Sequence, residues 1–323
     1  MAPKTGGLIA AVDLGGTKIL AALLDSNGRI LYRDYRATQA QQGPEAVIGS
    51  LETAIRQVTL DKGVPTSRLL GIGLAVPGAL DVARGIVTQS PNLPGWKDVP
   101  LKRILEERLG AAVVFENDAN AAALGEYAFG AGRGALHMVY VTVSTGIGGS
   151  IIVHGQLYRG VNGSAGEIGH MIVDLHGPPC NCGNNGCLES LASGTALARE
   201  AKAHLADGES SLISELAATS EEGVTARTIF LAAQRGDSLA NQLIRQAAEY
   251  LGVGLANVVN ILNPEVIVIG GGVAQMGAFL VDPAVATMRK RALSLPAQTV
   301  KVVPGQLGEQ AALLGMVKLV RAA

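Results

Sequence analysis

The chain has 323 residues, enough for two average domains of about 150 residues or one large divided one, and 48% hydrophobic against 16% charged residues excludes a disordered or coiled-coil chain. Lys plus Arg number 26 and Asp plus Glu 27, so a formal net charge of -1 offers no general basic field for nucleic acid or an anionic membrane. No run of 18 purely apolar residues supplies a transmembrane helix, and the apolar run Leu8 to Val12 is too short for a secretory signal, so the expected location is the cytoplasm.

In chain order, the apolar stretch Leu8 to Leu24 reads as two buried strands around the turn Asp13-Leu14-Gly15-Gly16-Thr17-Lys18. A third strand is expected at Arg29 to Tyr35, and a helix at about Pro44 to Lys62, with Val47, Ile48, Leu51, Ile55 and Val58 on one face. Next come a strand at Leu70 to Val76, a helix at Leu101 to Leu109, a strand at Ala112 to Phe115 and an Ala-rich helix from about Asp118 to Phe129. The layout then restarts. Met138 to Val153 is again a hairpin, turning at Ser144-Thr145-Gly146-Ile147-Gly148-Gly149, with Gly146 about 131 positions after Gly15. A short strand near Gln156 to Arg159, a loop-rich insertion and several helices follow, the longest at about Ser238 to Ile261. The strand Val266 to Ile269, a helix to Arg291, the strand Thr299 to Val303 and a helix from Glu309 to Val320 complete the second half. Each half reads β-β-β-α-β-α-β-α, which predicts two similar α/β lobes. The repeat puts the first lobe at residues 1–118, with the last helix (about 305–323) packing back on it, and the second at 119–304.

A glycine-rich hairpin turn can present backbone N–H groups and a Thr hydroxyl to phosphate, although glycine is also the ordinary hairpin residue. Two such turns at matching positions, together with Gly270-Gly271-Gly272 directly after an apolar strand, favour nucleotide binding at strand ends. Neither a P-loop nor a strand-anchored GxGxxG is present, so phosphate binding would use the hairpins. Asp13 sits within an apolar strand, where a carboxylate needs a partner or a metal. Asp118 stands between a strand and a helix, where a helix N-cap is its ordinary structural role.

The three cysteines, Cys180, Cys182 and Cys187, lie within eight residues, too clustered for a disulfide framework. With His170 they make a CysCysCysHis set suited to structural zinc, while His176 competes as the fourth ligand.

Asp13-Leu14-Gly15-Gly16-Thr17-Lys18, Glu116-Asn117-Asp118-Ala119-Asn120, Gly166-Glu167-Ile168-Gly169-His170 and Cys180-x-Cys182-Gly183-x-x-Gly186-Cys187-Leu188-Glu189 resemble the successive signatures of the ROK family (repressors, open reading frames, kinases). The resemblance spans essentially the whole chain from Val12. It implies a duplicated actin-like or hexokinase-like (ribonuclease H-like) two-lobe α/β fold with an inserted zinc-binding loop at 166–190. It also implies an ATP-dependent sugar kinase in which Asp118 is the general base and Asp13 holds Mg2+ through water. Gly15, Gly16, Thr17 and Lys18 would cradle phosphates together with Thr145, Gly146, Gly148 and Gly149, and Gly270, Gly271 and Gly272 would line the adenosine pocket. Asn117, Asp118, Glu167, His170 and Glu189 would surround the sugar, with Asn92 and the backbone of Gly78 as further contacts. Structural Zn2+ on His170, Cys180, Cys182 and Cys187 would fix the loop and the imidazole without entering the chemistry.

Ser90-Pro91-Asn92-Leu93-Pro94-Gly95-Trp96 resembles the glucose-phosphorylating members, which makes glucose the expected substrate ahead of mannose, N-acetylglucosamine and N-acetylmannosamine. Family habit implies a homodimer or homotetramer. Relatives that act as repressors carry a winged helix-turn-helix in front, and only 12 residues precede Asp13, so no nucleic-acid partner is expected. A non-catalytic, sugar-responsive regulator is the alternative class.

Overall fold

In a computed structural model, which describes residues 7–60, 62–90 and 92–323, the first apolar stretch folds as the antiparallel hairpin β1 (Leu8–Leu14) and β2 (Lys18–Asp25). Both strands are apolar almost throughout because both faces are covered. Ala10, Val12, Leu14, Ile19, Ala21 and Leu23 point into one core, and Ile9, Ala11, Leu20, Ala22 and Leu24 into another. β3 (Ile30–Ala37) lies at the edge, followed by α1 (Pro44–Leu60) and β4 (Gly71–Val76). The short strands β5 (Ala79–Asp81), β6 (Ile86–Gln89) and β7 (Lys97–Val99) form a small antiparallel sheet that the sequence does not announce, since none has more than four residues. α2 (Leu101–Leu109), β8 (Val113–Asn117) and α3 (Asp118–Phe129) complete the pattern. The main sheet has the order β3-β2-β1-β4-β8.

The second half contains β9 (Met138–Val143), β10 (Ile147–Val153), β11 (Gln156–Tyr158), α4 (Leu188–Ala192), α5 (Gly194–Ala206), α6 (Leu212–Ala218) and α7 (Ala226–Gln234). It continues with α8 (Ser238–Leu262), β12 (Val266–Gly270), α9 (Val281–Arg291), α10 (Ser294–Thr299), β13 (Lys301–Pro304) and α11 (Ala311–Ala322). The order β10-β9-β12-β13 repeats β2-β1-β4-β8, with an antiparallel hairpin followed by two parallel neighbours in each case. The expected strand at Thr299 begins two residues later. Thr299 instead ends α10, its hydroxyl bonding the carbonyls of Leu295 and Pro296. The long α8 is capped by the Asp237 carboxylate, which accepts from the Ala240 N–H, and closes at Asn263 in the left-handed region.

The chain divides into two compact units. One runs to Gly134 and takes in Gln156–Ala165 and Gln306–Ala323; the other is Ala135–Gly155 with Gly166–Gly305. This corrects the boundary expected at 118/119, because α3 stays with the first unit by packing on α11. At that crossing Gly125 lies against the Ala311 carbonyl and Gly315 against the Ala121 carbonyl, so close that neither position admits a Cβ. The core of the second unit is built around α8, with Val139, Val141 and Val143 of β9 and Ile267 and Ile269 of β12 beneath it. No helix among the described residues is long and apolar enough to cross a membrane.

Candidate functional site

In the first unit the site residues gather at the C-terminal ends of adjacent strands. Asp13 stands opposite Leu20 of β2 and Ala75 of β4, near the end of β1. The following turn is pinned by the Gly15 N–H donating to the Lys18 carbonyl at 2.9 Å, and by Thr38, whose hydroxyl donates to the Gly15 carbonyl at 2.7 Å. Thr17 and Lys18 are exposed, and the Lys18 ammonium lies 3.4 Å from the Glu309 carboxylate. Asn92 packs beside Gly16, where an added Cβ would come within 3.0 Å of its own Cβ. Pro91, the residue before it in the expected glucose motif, lies outside the described residues.

Asp118 opens α3 at its first turn, one residue inside the cap. The N-cap is Asn117, whose side-chain oxygen accepts from the N–H groups of Ala119 and Asn120 at 3.0 and 3.2 Å. The capping role therefore falls to Asn117 and not to Asp118, one of whose carboxylate oxygens accepts from the Ala119 N–H at 2.9 Å. The Asn117 amide also reaches the Gly78 carbonyl at 3.4 Å, and Gly78 holds φ +101 against Gln89 and Ser90, where a side chain would collide. Desolvation, then the nearby Asp118 carboxylate, outweigh Lys18 and raise the Asp13 carboxyl to about 7.

Glu116 and Arg159 received no role from the sequence. The Glu116 carboxylate is fully buried, and its Oε2 accepts from Nε and Nη2 of Arg159 at 2.9 and 2.7 Å. Glu116 opens the motif at 116–120 but Arg159, 43 positions on, lies outside the motifs, so no sequence signal joins the two.

In the second unit the β9–β10 turn is held from behind. The first N–H groups of α5, from Gly194 and Thr195, donate to the carbonyls of Ser144 and Thr145 at 2.8 and 3.2 Å, and the Thr195 hydroxyl donates to Thr145 at 2.6 Å. Glu189 accepts from the Ile147 N–H at 2.9 Å and lies against Gly146, leaving no room there for a side chain. Gly271, at φ +93, lies against the Val143 carbonyl at the end of β9, which brings the Gly270–Gly272 cluster beside this turn. Gly148 and Gly149 are part of β10, with Gly149 against Ile168 and Gly166.

His170 Nδ1 faces Cys180 Sγ at 3.7 Å, Cys182 Sγ faces Cys187 Sγ at 3.6 Å, and the four ligand atoms lie within 4.8 Å of one another. A tetrahedron with zinc–sulfur and zinc–nitrogen bonds of about 2.3 and 2.1 Å has S–S edges of about 3.8 Å and S–N edges of about 3.6 Å, so the donor set fits zinc. His176 is not part of the group, which answers the question of the fourth ligand. Burial pushes the Cys187 thiol up to about 12 and raises Cys180, whereas the Asn184 N–H lowers Cys182 to about 7. With Nδ1 turned to the thiols, His170 Nε2 is on the Glu167 side, 3.9 Å from its carboxylate.

The sequence profile of the ROK family matches residues 9–323. The chain belongs to the ROK family. Among ROK relatives, the glucokinase of Thermotoga maritima is 38% identical over 313 residues, 97% of each chain. The crystal structure of a ROK family glucokinase from Streptomyces griseus in complex with glucose and AMPPNP gives a TM-score of 0.85 at 36% identity, covering 98% of this chain and 100% of that one. The xylose repressor of Bacillus subtilis is 32% identical over 317 residues, 98% of this chain and 78% of the repressor. The repeated strand order is thus the duplicated hexokinase-like fold of ROK proteins, with the CysCysCysHis loop inserted in its second half.

Proposed function

We propose that this ROK chain is an ATP:hexose 6-phosphotransferase whose preferred sugar is glucose. The observation that carries the reading is the pair of carboxylates at the ends of β1 and β8, the two strands that flank β4: Asp13, raised by its surroundings, and Asp118, which leaves the capping role to Asn117. Asp118 takes the proton of the 6-hydroxyl as that oxygen attacks the γ-phosphorus, and ADP leaves with the electron pair of the broken bond. Asn117, the Gly78 backbone and Asn92 are the sugar contacts assigned to the first unit, and Glu167, His170 and Glu189 are the candidate contacts in the second. The glycine turns at 15–18 and 145–149 donate backbone N–H groups to the phosphates, and Gly270–Gly272 leave room for the adenosine. Asp13 would help hold the Mg2+ that accompanies the nucleotide, and that ion would neutralise phosphate charge. Cys180, Cys182, Cys187 and His170 would hold Zn2+, which would fix the imidazole for contact with a sugar hydroxyl. Such chemistry, with its ATP and reduced thiols, belongs in the cytoplasm.

The test is ADP release over glucose, mannose, fructose, N-acetylglucosamine and N-acetylmannosamine, with Asp118→Asn as the blank. Glucose giving the highest kcat/KM is the expected result; another winner would move the sugar assignment, and no signal above the blank would remove the kinase reading. The similarity to the xylose repressor supports a second reading, a sugar-responsive regulator, in which sugar binds without turnover.

A further inference from the structure

We infer that Arg159 and Glu116 act as a positioning pair that sets the base Asp118 for proton transfer, an inference that rests on the kinase reading. Glu116 is the penultimate residue of β8 and is fully buried, a setting in which an ionised carboxylate persists only with its lone pairs occupied. All are occupied here. Oε2 accepts both bonds from the Arg159 guanidinium, while Oε1 accepts from the Asn117 backbone N–H at 3.0 Å and the Asn120 side-chain amide at 3.1 Å. Asn117 and Asn120 flank Asp118, and Asn117 in turn caps the helix that Asp118 opens. The Glu116 carboxylate therefore holds the backbone N–H just before the base and the Asn120 side chain two residues after it.

Stability alone is a poor reason to keep such a pair, because the Arg159 side chain is 37% exposed, which weakens the attraction, and apolar residues often replace a buried charge pair at no loss. A fixed geometry is a better one. Carboxylate and guanidinium form a planar, directional contact that an apolar pair lacks, and a misplacement of about 1 Å in a reacting group costs on the order of a hundredfold in rate. Arg159 comes from Gln156–Ala165, the excursion of the chain that belongs with the first unit although the sequence on either side of it belongs with the second. The pair is the point at which that excursion is tied to the β8–α3 junction.

The primary variant is Arg159→Lys, which keeps the charge and loses the two-bond fork. The expected result is kcat lower by roughly tenfold or more per folded molecule, with the sugar KM and the directly measured sugar Kd within about threefold of wild type. Adding Arg159→Lys to Asp118→Asn should cause little further loss, since a group that acts through the base has nothing left to position. Glu116→Gln combined with Arg159→Gln removes both charges without leaving a bare buried carboxylate, and should show the same split between kcat and KM if Arg159→Lys does not fold. A merely structural pair would lower the melting temperature and the folded fraction, leave kcat per folded molecule unchanged, and multiply its effect with that of Asp118→Asn; that outcome overturns the pairing alone. Wild-type protein that phosphorylates no hexose would instead overturn the kinase reading, and this inference with it.

Discussion

The β1–β2 and β9–β10 hairpins have the same place in two copies of one topology, yet each meets its carboxylate differently. In the first, Asp13 comes from the strand itself and is pushed up to about 7 by desolvation and Asp118. In the second, the strand carries no acid at the turn, and Glu189 arrives from α4 to accept the Ile147 N–H while α5 holds the turn's carbonyls. The first turn thus has its acid beside it with a raised pKa, whereas the second has its acid engaged in bracing the backbone. The same strand order is kept in both units, and the distinction lies in where the carboxylate's bonds go.

The sharpest way to break this comparison is Asp118→Asn, expected to lower kcat by ~10³-fold, within the range for losing a general base, while sugar binding and melting temperature stay near wild type. A large fall in melting temperature would return Asp118 to a capping role. Next in size, Cys180→Ser, Cys182→Ser or Cys187→Ser should each lower bound zinc and activity together, by roughly 10–100-fold in activity, read by metal analysis beside the assay. Full activity without metal would detach the loop from the site.

The third prediction concerns pH. Because the folded pKa of Asp13 lies above its unfolded value near 4, the folded state binds the proton more tightly, and stability falls as pH rises from about 4 through about 7. Full expression of the shift would amount to ~4 kcal/mol, and solvent at the strand end reduces it to roughly 1–2 kcal/mol. Urea unfolding of the ligand-free protein across this range should show the decline, and Asp13→Asn should flatten it. Smallest in stability is Glu189→Ala, which orphans the Ile147 N–H at a cost of about 1 kcal/mol, raises the nucleotide KM several-fold through the loosened turn, and raises the sugar KM through the lost sugar contact. No effect on nucleotide KM would mean that the second turn does not depend on its brace.

The main strands were legible because burial on both faces writes them as continuous apolar runs, and the repeat of the two hairpins carried the topology. The β5–β7 sheet was not legible, since strands of three and four residues with mixed polarity leave no period to detect. Asn117 and Asp118 are adjacent and equally good capping residues, so only backbone geometry assigns the cap. His170 and His176 are likewise separated only by folding, which brings the first to the thiols. The tie between Glu116 and Arg159 depends on a turn of the chain that no local pattern encodes.

The glycine-mediated seating of α11 on α3 bears on the order of synthesis. The first unit draws one of its two cores from residues 312–320, which leave the ribosome after every residue of the second unit has been made. During translation the second unit can fold first, while β1, β2 and β4 wait with one apolar face uncovered and open to chaperones. Loss of the last dozen residues would therefore unfold the beginning of the chain rather than its end.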